Sequence, residues 1–161
     1  MERRKNFACL IAGLAICFIA FISASKTRQN SVSSQLIGEW RNVYVKIIIH
    51  KKGQPAATTM EADSTNWEAR LGIKPIRTHF MENGTYYSEY RNKKDSLVRR
   101  PSGTWSVNGD SLTMTQLKPD QSLLKVKVKI NNDHATFSGL IDFDGEGVWN
   151  DEYLGIQKKF K

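Results

Sequence analysis

Cysteine is nearly absent. The 161-residue chain has two, Cys9 and Cys17, both within its first apolar run. Past that run no thiol is available for a disulfide, a metal–thiolate centre or a cysteine nucleophile. Histidine is limited to His50, His79 and His134, at no spacing that suits a metal, and all three read as surface residues. No serine sits in a G-x-S-x-G elbow, and there is no phosphate loop or dinucleotide fingerprint. Carboxylates occur in every turn, so no acid–base pair stands out. These absences argue against an enzyme. Positive charge is in excess, 24 Lys and Arg against 16 Asp and Glu for a net +8, but it is scattered in short runs such as Lys51-Lys52, Lys93-Lys94 and Lys158-Lys159. Without a basic helix or an aromatic–basic motif, no nucleic-acid partner is expected.

The long apolar run is at the N-terminus. A basic stub, Met1 to Asn6, precedes 18 uncharged residues from Phe7 to Ala24, closed by Ser23, Ala24 and Ser25. Residues 1–25 therefore read as a signal peptide cut near Ala24 or Ser25, with a retained N-terminal membrane anchor as the alternative. On either reading the rest is exported, to the periplasm, the cell envelope or the medium, and meets a membrane only through residues 7–24 if these stay uncleaved. Ile16 is too large to precede a lipidated cysteine, and the chain stays apolar after Cys17, which argues against lipidation.

Residues 26–34 are small and polar and read as a flexible leader. From 35 to 161 the chain reads as one domain of short strands rich in Val, Ile, Thr and aromatics, separated by turns at Asn83-Gly84, Asn108-Gly109, Pro119-Asp120, Asn132-Asp133 and Asp144-Gly145. A first strand is expected over about Leu36–Ile49. In the long connection His50–Lys74, Thr65, Glu68 and Gly72 mark a capping box and a glycine stop around two turns of helix. A three-residue loop at Glu82-Asn83-Gly84 pairs Phe80 with Tyr86 and Thr78 with Ser88, leaving Arg77 opposite Glu89 and His79 opposite Tyr87. An Asn108-Gly109 turn sets Trp105 opposite Leu112, with Val107 and Met114 on the same face. Residues 124–130 alternate without fault, with Val126, Val128 and Ile130 inward, in line with Ala135, Phe137 and Ile141, and Lys125, Lys127 and Lys129 in water. About eight strands in hairpin order, each with one apolar face, predict an all-β, antiparallel up-and-down barrel with one short helix after the first strand. A two-sheet sandwich is the alternative.

Leu36-Ile37-Gly38-Glu39-Trp40 resembles the G-x-W opening of lipocalins and the wider calycin group. Phe80-x-x-Asn83-Gly84-Thr85-Tyr86 and Gly103-Thr104-Trp105-Ser106-Val107-x-Gly109-Asp110-x-Leu112 resemble bacterial lipocalin-like domains of exported proteins. The likeness covers residues 36–161. It implies that Gly38 lets the chain bend near the barrel base and that Trp40 plugs that end. In lipocalins an Arg caps this Trp; the last strand, read as Tyr153–Lys158, supplies none.

A small eight-stranded barrel is either filled by side chains or holds one small ligand. The ligand reading gives non-catalytic binding of a small apolar or amphipathic molecule by Phe80, Tyr86, Ser88, Tyr90, Trp105, Val126, Val128 and Phe137; inward hydroxyls need partners, and a ligand can supply them. Arg99 and Arg100 are candidates to meet a ligand carboxylate, against a plain solvated loop. The other reading is a filled barrel serving as a cell-envelope interaction or structural module. Finally, Asp142, Asp144, Glu146 and Asn150, with Gly147 at the sixth position, follow the ligand order of a calcium loop, although Tyr153 replaces the closing bidentate Glu. A polar hairpin loop is the competing reading.

Overall fold

The structure, a computed structural model, describes residues 31–160. The signal or anchor over 1–25 and leader residues 26–30 lie outside the described residues. Ser31 caps the first helix, α1 (Val32–Leu36), its hydroxyl accepting from the Ser34 N–H at 3.2 Å. Residues 32–34, grouped with the polar leader in the sequence, thus form part of this helix.

The remaining elements are β1 (Gly38–Ile49), β2 (Thr58–Asp63), α2 (Trp67–Leu71), β3 (Arg77–Phe80), β4 (Thr85–Arg91), β5 (Leu97–Arg99), β6 (Ser102–Asn108), β7 (Ser111–Lys118), β8 (Ser122–Asn131), β9 (His134–Ile141) and β10 (Asp151–Phe160). All pairings are antiparallel, and β10 returns to β1 from Glu39↔Phe160 to Ile48↔Glu152, which closes an eight-stranded barrel. Ten strand segments fill eight positions because two positions are shared. β3 pairs the first residues of β1, and β2 pairs its last six. Likewise β6 pairs the start of β4, and β5 its end. The long connection 50–74, expected to hold only the helix, thus also contains β2, and α2 follows it where the wall passes from β2 to β3.

The hairpin at 82–84 has the expected register, Phe80↔Tyr86, Thr78↔Ser88, His79↔Tyr87 and Arg77↔Glu89, with Gly84 left-handed at φ 78°. The next hairpin differs. Its turn centres on Gly109-Asp110, so Trp105 faces Met114 and Val107 faces Leu112. The slip is two residues, which preserves the inward face. The capping box also differs: Asn66 occupies the N-cap but its side chain caps no helical N–H, accepting instead from Asp63 N at 3.0 Å, and Asp63 accepts from the N–H groups of Thr65 and Asn66.

The end of the barrel bearing α1 and the turns at 82–84, 109–110 and 132–133 is closed and packed. Leu36, Trp40, Trp105, Leu112, Val126, Val128 and Ala135 form its core. Trp40 is fully buried and donates its indole N–H to Leu36 O at 2.7 Å. Lys159 lies over the same ring, 5.2 Å from its centroid, and donates to Gln35 O at 2.7 Å. Burial lowers the Lys159 pKa. A cation from the last strand does cap Trp40; it comes one residue beyond Lys158 and is a lysine. Gly38 is required here, since its φ of 123° strains any side chain and a Cβ would stand 3.2 Å from Lys159 Cε.

Candidate functional site

Above this packed floor the interior is open. The upper half holds a cavity of about 830 Å³, within the range of small-molecule sites. Its shape follows from the split walls: past the middle of the barrel, β2 and β4 are not paired, and α2 covers the gap with Trp67 and Leu71. Val45, Ile47, Met60, Ile76, Met114 and Phe137 make the apolar lining.

A belt of polar residues crosses the bottom of the cavity. Asn42, Thr78, Ser88 and Gln157 are 6%, 4%, 7% and 9% exposed and lie on the neighbouring strands β10, β1, β3 and β4. Thr78 and Ser88 share a hydrogen bond at 2.9 Å, while Gln157 Nε2 donates to Asn42 Oδ1 at 3.4 Å. Gln157 Oε1 is enclosed and accepts no hydrogen bond. Asn42 is inward because β1 has an irregularity between Asn42 and Tyr44, which resets the alternation before Val45 and Ile47.

Three tyrosines flank the belt, Tyr86 on its closed-end side along β4 and Tyr90 and Tyr153 toward the mouth. Burial pushes the Tyr153 phenol up to about 12, with Tyr90 adding to the shift. Burial also raises Tyr90, against the opposing pull of Arg99, and raises Tyr86, again with Tyr90 contributing. All three stay neutral at ordinary pH and offer hydroxyls, not charge. Tyr153 lies along its own strand, and a Cβ on Gly155 would run into its ring and hydroxyl. The charged lining residues Arg99, Asp120 and Asp142 all come from strands or loops at the open end. Leu123, Phe143 and Trp149 also line the cavity there while 42–46% exposed, giving the mouth an apolar rim.

Of the eight residues expected to meet a ligand, Phe80, Tyr86, Ser88, Tyr90 and Phe137 line this cavity. Trp105, Val126 and Val128 do not; they belong to the packed core beneath it. Trp105 packs edge-on against Phe80 at 5.3 Å and donates its N–H to Met81 O and Thr85 O, fastening the 82–84 hairpin. Arg99 reaches the mouth, whereas Arg100 sits over Tyr87, 4.0 Å from the ring centroid. The sequence reading missed Asn42, Gln157 and Tyr153. For the last two the signal was present, since Tyr153, Gly155, Gln157 and Lys159 alternate on one face of β10.

The acidic loop between β9 and β10 is organised differently from the expected ligand order. Asp142, Asp144 and Asp151 each bring a carboxylate oxygen within 4.8 Å of the others. Glu146 is not in that group; it accepts from Lys52 N at 2.8 Å and from Asn150 Nδ2 at 3.2 Å. Asn150 also donates to His50 O. Asp142 accepts from Gly147 N at 2.9 Å, while Asp142 Oδ1 and Asn150 Oδ1 are enclosed without a donor. Asp151, fully buried, is the anchor. Its burial pushes the pKa up, but N–H groups of His50, Phe143 and Asp144 bind the carboxylate and hold it below the usual value. The three histidines are dispersed: His50 is near Glu152 at the open end, while His79 stacks on Tyr87 and His134 contacts Asp133.

In comparisons with protein-family models and with curated proteins, no match to this chain is found.

Proposed function

We propose that this protein is an exported, lipocalin-like carrier that binds one small apolar or amphipathic molecule in the upper half of its barrel, without catalysis. The observation that carries the reading is the 830 Å³ cavity with its apolar walls, open at an apolar rim and floored by hydroxyls and amides. Burying an apolar ligand there gains roughly 25 cal/mol for each Å² removed from water. The fixed polar groups orient it. Gly38 and Trp40 at the closed end, capped by Lys159, support the calycin-type likeness.

The test is uptake of N-phenyl-1-naphthylamine, whose fluorescence rises on leaving water. Wild type is expected to take up the probe at micromolar concentration. Ser88→Phe, which projects a ring from the floor into the cavity, is expected to abolish uptake in a variant whose circular dichroism remains native. A well-folded wild type that takes up no probe would favour the filled-barrel envelope module instead.

A further inference from the structure

Resting on that ligand-binding reading, we infer that the cavity floor selects a neutral hydrogen-bond donor, such as an alcohol or primary amide, inserted head-first, over a carboxylate. The floor presents four buried polar side chains, Asn42, Thr78, Ser88 and Gln157, none of them ionisable. Thr78 and Ser88 share one hydrogen bond and Gln157 gives one of its two amide N–H groups to Asn42, which leaves the acceptor Gln157 Oε1 unpaired on a residue that is 9% exposed and lines the cavity. An enclosed acceptor costs free energy until it meets a donor, and a ligand O–H or N–H supplies one.

A carboxylate is rejected on two counts. It has no proton for Gln157 Oε1, and the only cation among the described lining residues, Arg99, is at the mouth. An ionised head at the floor is desolvated among neutral donors with no cation beside it, which costs more than a lost neutral hydrogen bond. The tyrosine hydroxyls that line the cavity stay neutral and supply no opposite charge. Anionic amphipaths therefore bind head-out beside Arg99, or weakly.

The experiment is competition against bound N-phenyl-1-naphthylamine at pH 8 by 1-decanol, decanamide, decanoate and decyl methyl ether. The ether accepts hydrogen bonds but donates none. Wild type is compared with Gln157→Leu and with Gln157→Met, either of which keeps the volume. In wild type the alcohol and amide are expected to compete better than decanoate. Relative to the ether, both are expected to lose about fivefold in each Gln157 variant, the worth of one buried hydrogen bond. Decanoate is expected to be unaffected by the substitutions. If the alcohol-to-ether ratio is the same in wild type and variants, or if decanoate loses as much as the alcohol, the inference is wrong while ligand binding stands. If no competitor displaces the probe and the probe itself does not bind, the carrier reading fails with it.

Discussion

Asp151 gives the clearest stability prediction. It is fully buried at the start of β10, and its carboxylate accepts from His50 N at 2.8 Å and Phe143 N at 2.7 Å, with Asp144 N as a third donor. These bonds tie the β9–β10 loop to the end of β1 and shape the mouth. Asp151→Ala leaves three N–H groups without an acceptor, at about 1–3 kcal/mol for each one that stays buried. Water at the rim recovers part of this, so a loss of about 3 kcal/mol is expected. Urea unfolding followed by tryptophan fluorescence should show a midpoint lower by about 1.5 M at an unchanged slope. The control is Asp144→Ala, exposed and holding only Glu146 N at 3.3 Å, for which a change under about 0.5 kcal/mol is expected. The sign of the pH dependence follows from the depressed folded pKa. The stabilisation is present above the ordinary aspartate value of about 3.9 and is lost as pH falls through the lower folded value. The gap between wild type and Asp151→Ala should thus be full at pH 7 and shrink below about pH 4. Equal midpoint shifts for Asp144→Ala and Asp151→Ala would refute the anchoring role.

Val128, 2% exposed in the core, and its exposed neighbour Lys127 test the register of β8: Val128→Asp should cost at least about 3 kcal/mol in urea unfolding, and Lys127→Asp less than about 1 kcal/mol. Tyr153 titrates near 12 in the fold and near 10 when unfolded, so its contribution is full below pH 10 and lost between pH 10 and 12. The unfolding free energy from urea titrations at rising pH should fall in wild type by roughly 1.4 kcal/mol per pH unit across that window relative to Tyr153→Phe. Asp142 and Asp144 gather with Asp151 within 4.8 Å, whereas Glu146 is held by Lys52 N and Asn150, so the calcium reading is a proposal for melting curves to decide. A midpoint raised by millimolar calcium in wild type but not in Asp142→Ala/Asp144→Ala is the result expected of a cation site, and identical midpoints in calcium and in chelator would leave an ordinary acidic turn.

Strand parity was legible where alternation is clean. Residues 124–130 and the 82–84 hairpin specify their inward face so strongly that even a two-residue slip at Gly109-Asp110 leaves it unchanged. What the sequence hid lies where a strand is broken or irregular. The irregularity beside Asn42 turns an asparagine inward next to the apolar stretch Val45–Ile49, and parity read backward from Ile47 misses it. β2 is brief and largely exposed, with one buried residue, Ala62, so it carries little hydrophobic pattern. The division of the interior into a packed lower half and an open upper half depends on which walls stop pairing midway, a property of three-dimensional closure that no local stretch encodes. For that reason Trp105, Val126 and Val128 read as equivalent to Tyr86 and Ser88, although they lie below the cavity floor.

The most direct measurement of the central claim uses the methionine methyl groups. Met60 and Met114 line the cavity, while Met81 sits beside the 82–84 turn at the closed end, its sulfur accepting from Thr85 Oγ1 at 3.7 Å. In protein carrying ¹³C-methyl methionine, titration with 1-decanol should shift the Met60 and Met114 resonances saturably and together and leave Met81 in place. If the ligand moves Met81 and not the other two, or if no methyl responds while the protein stays folded, the cavity is not the binding site.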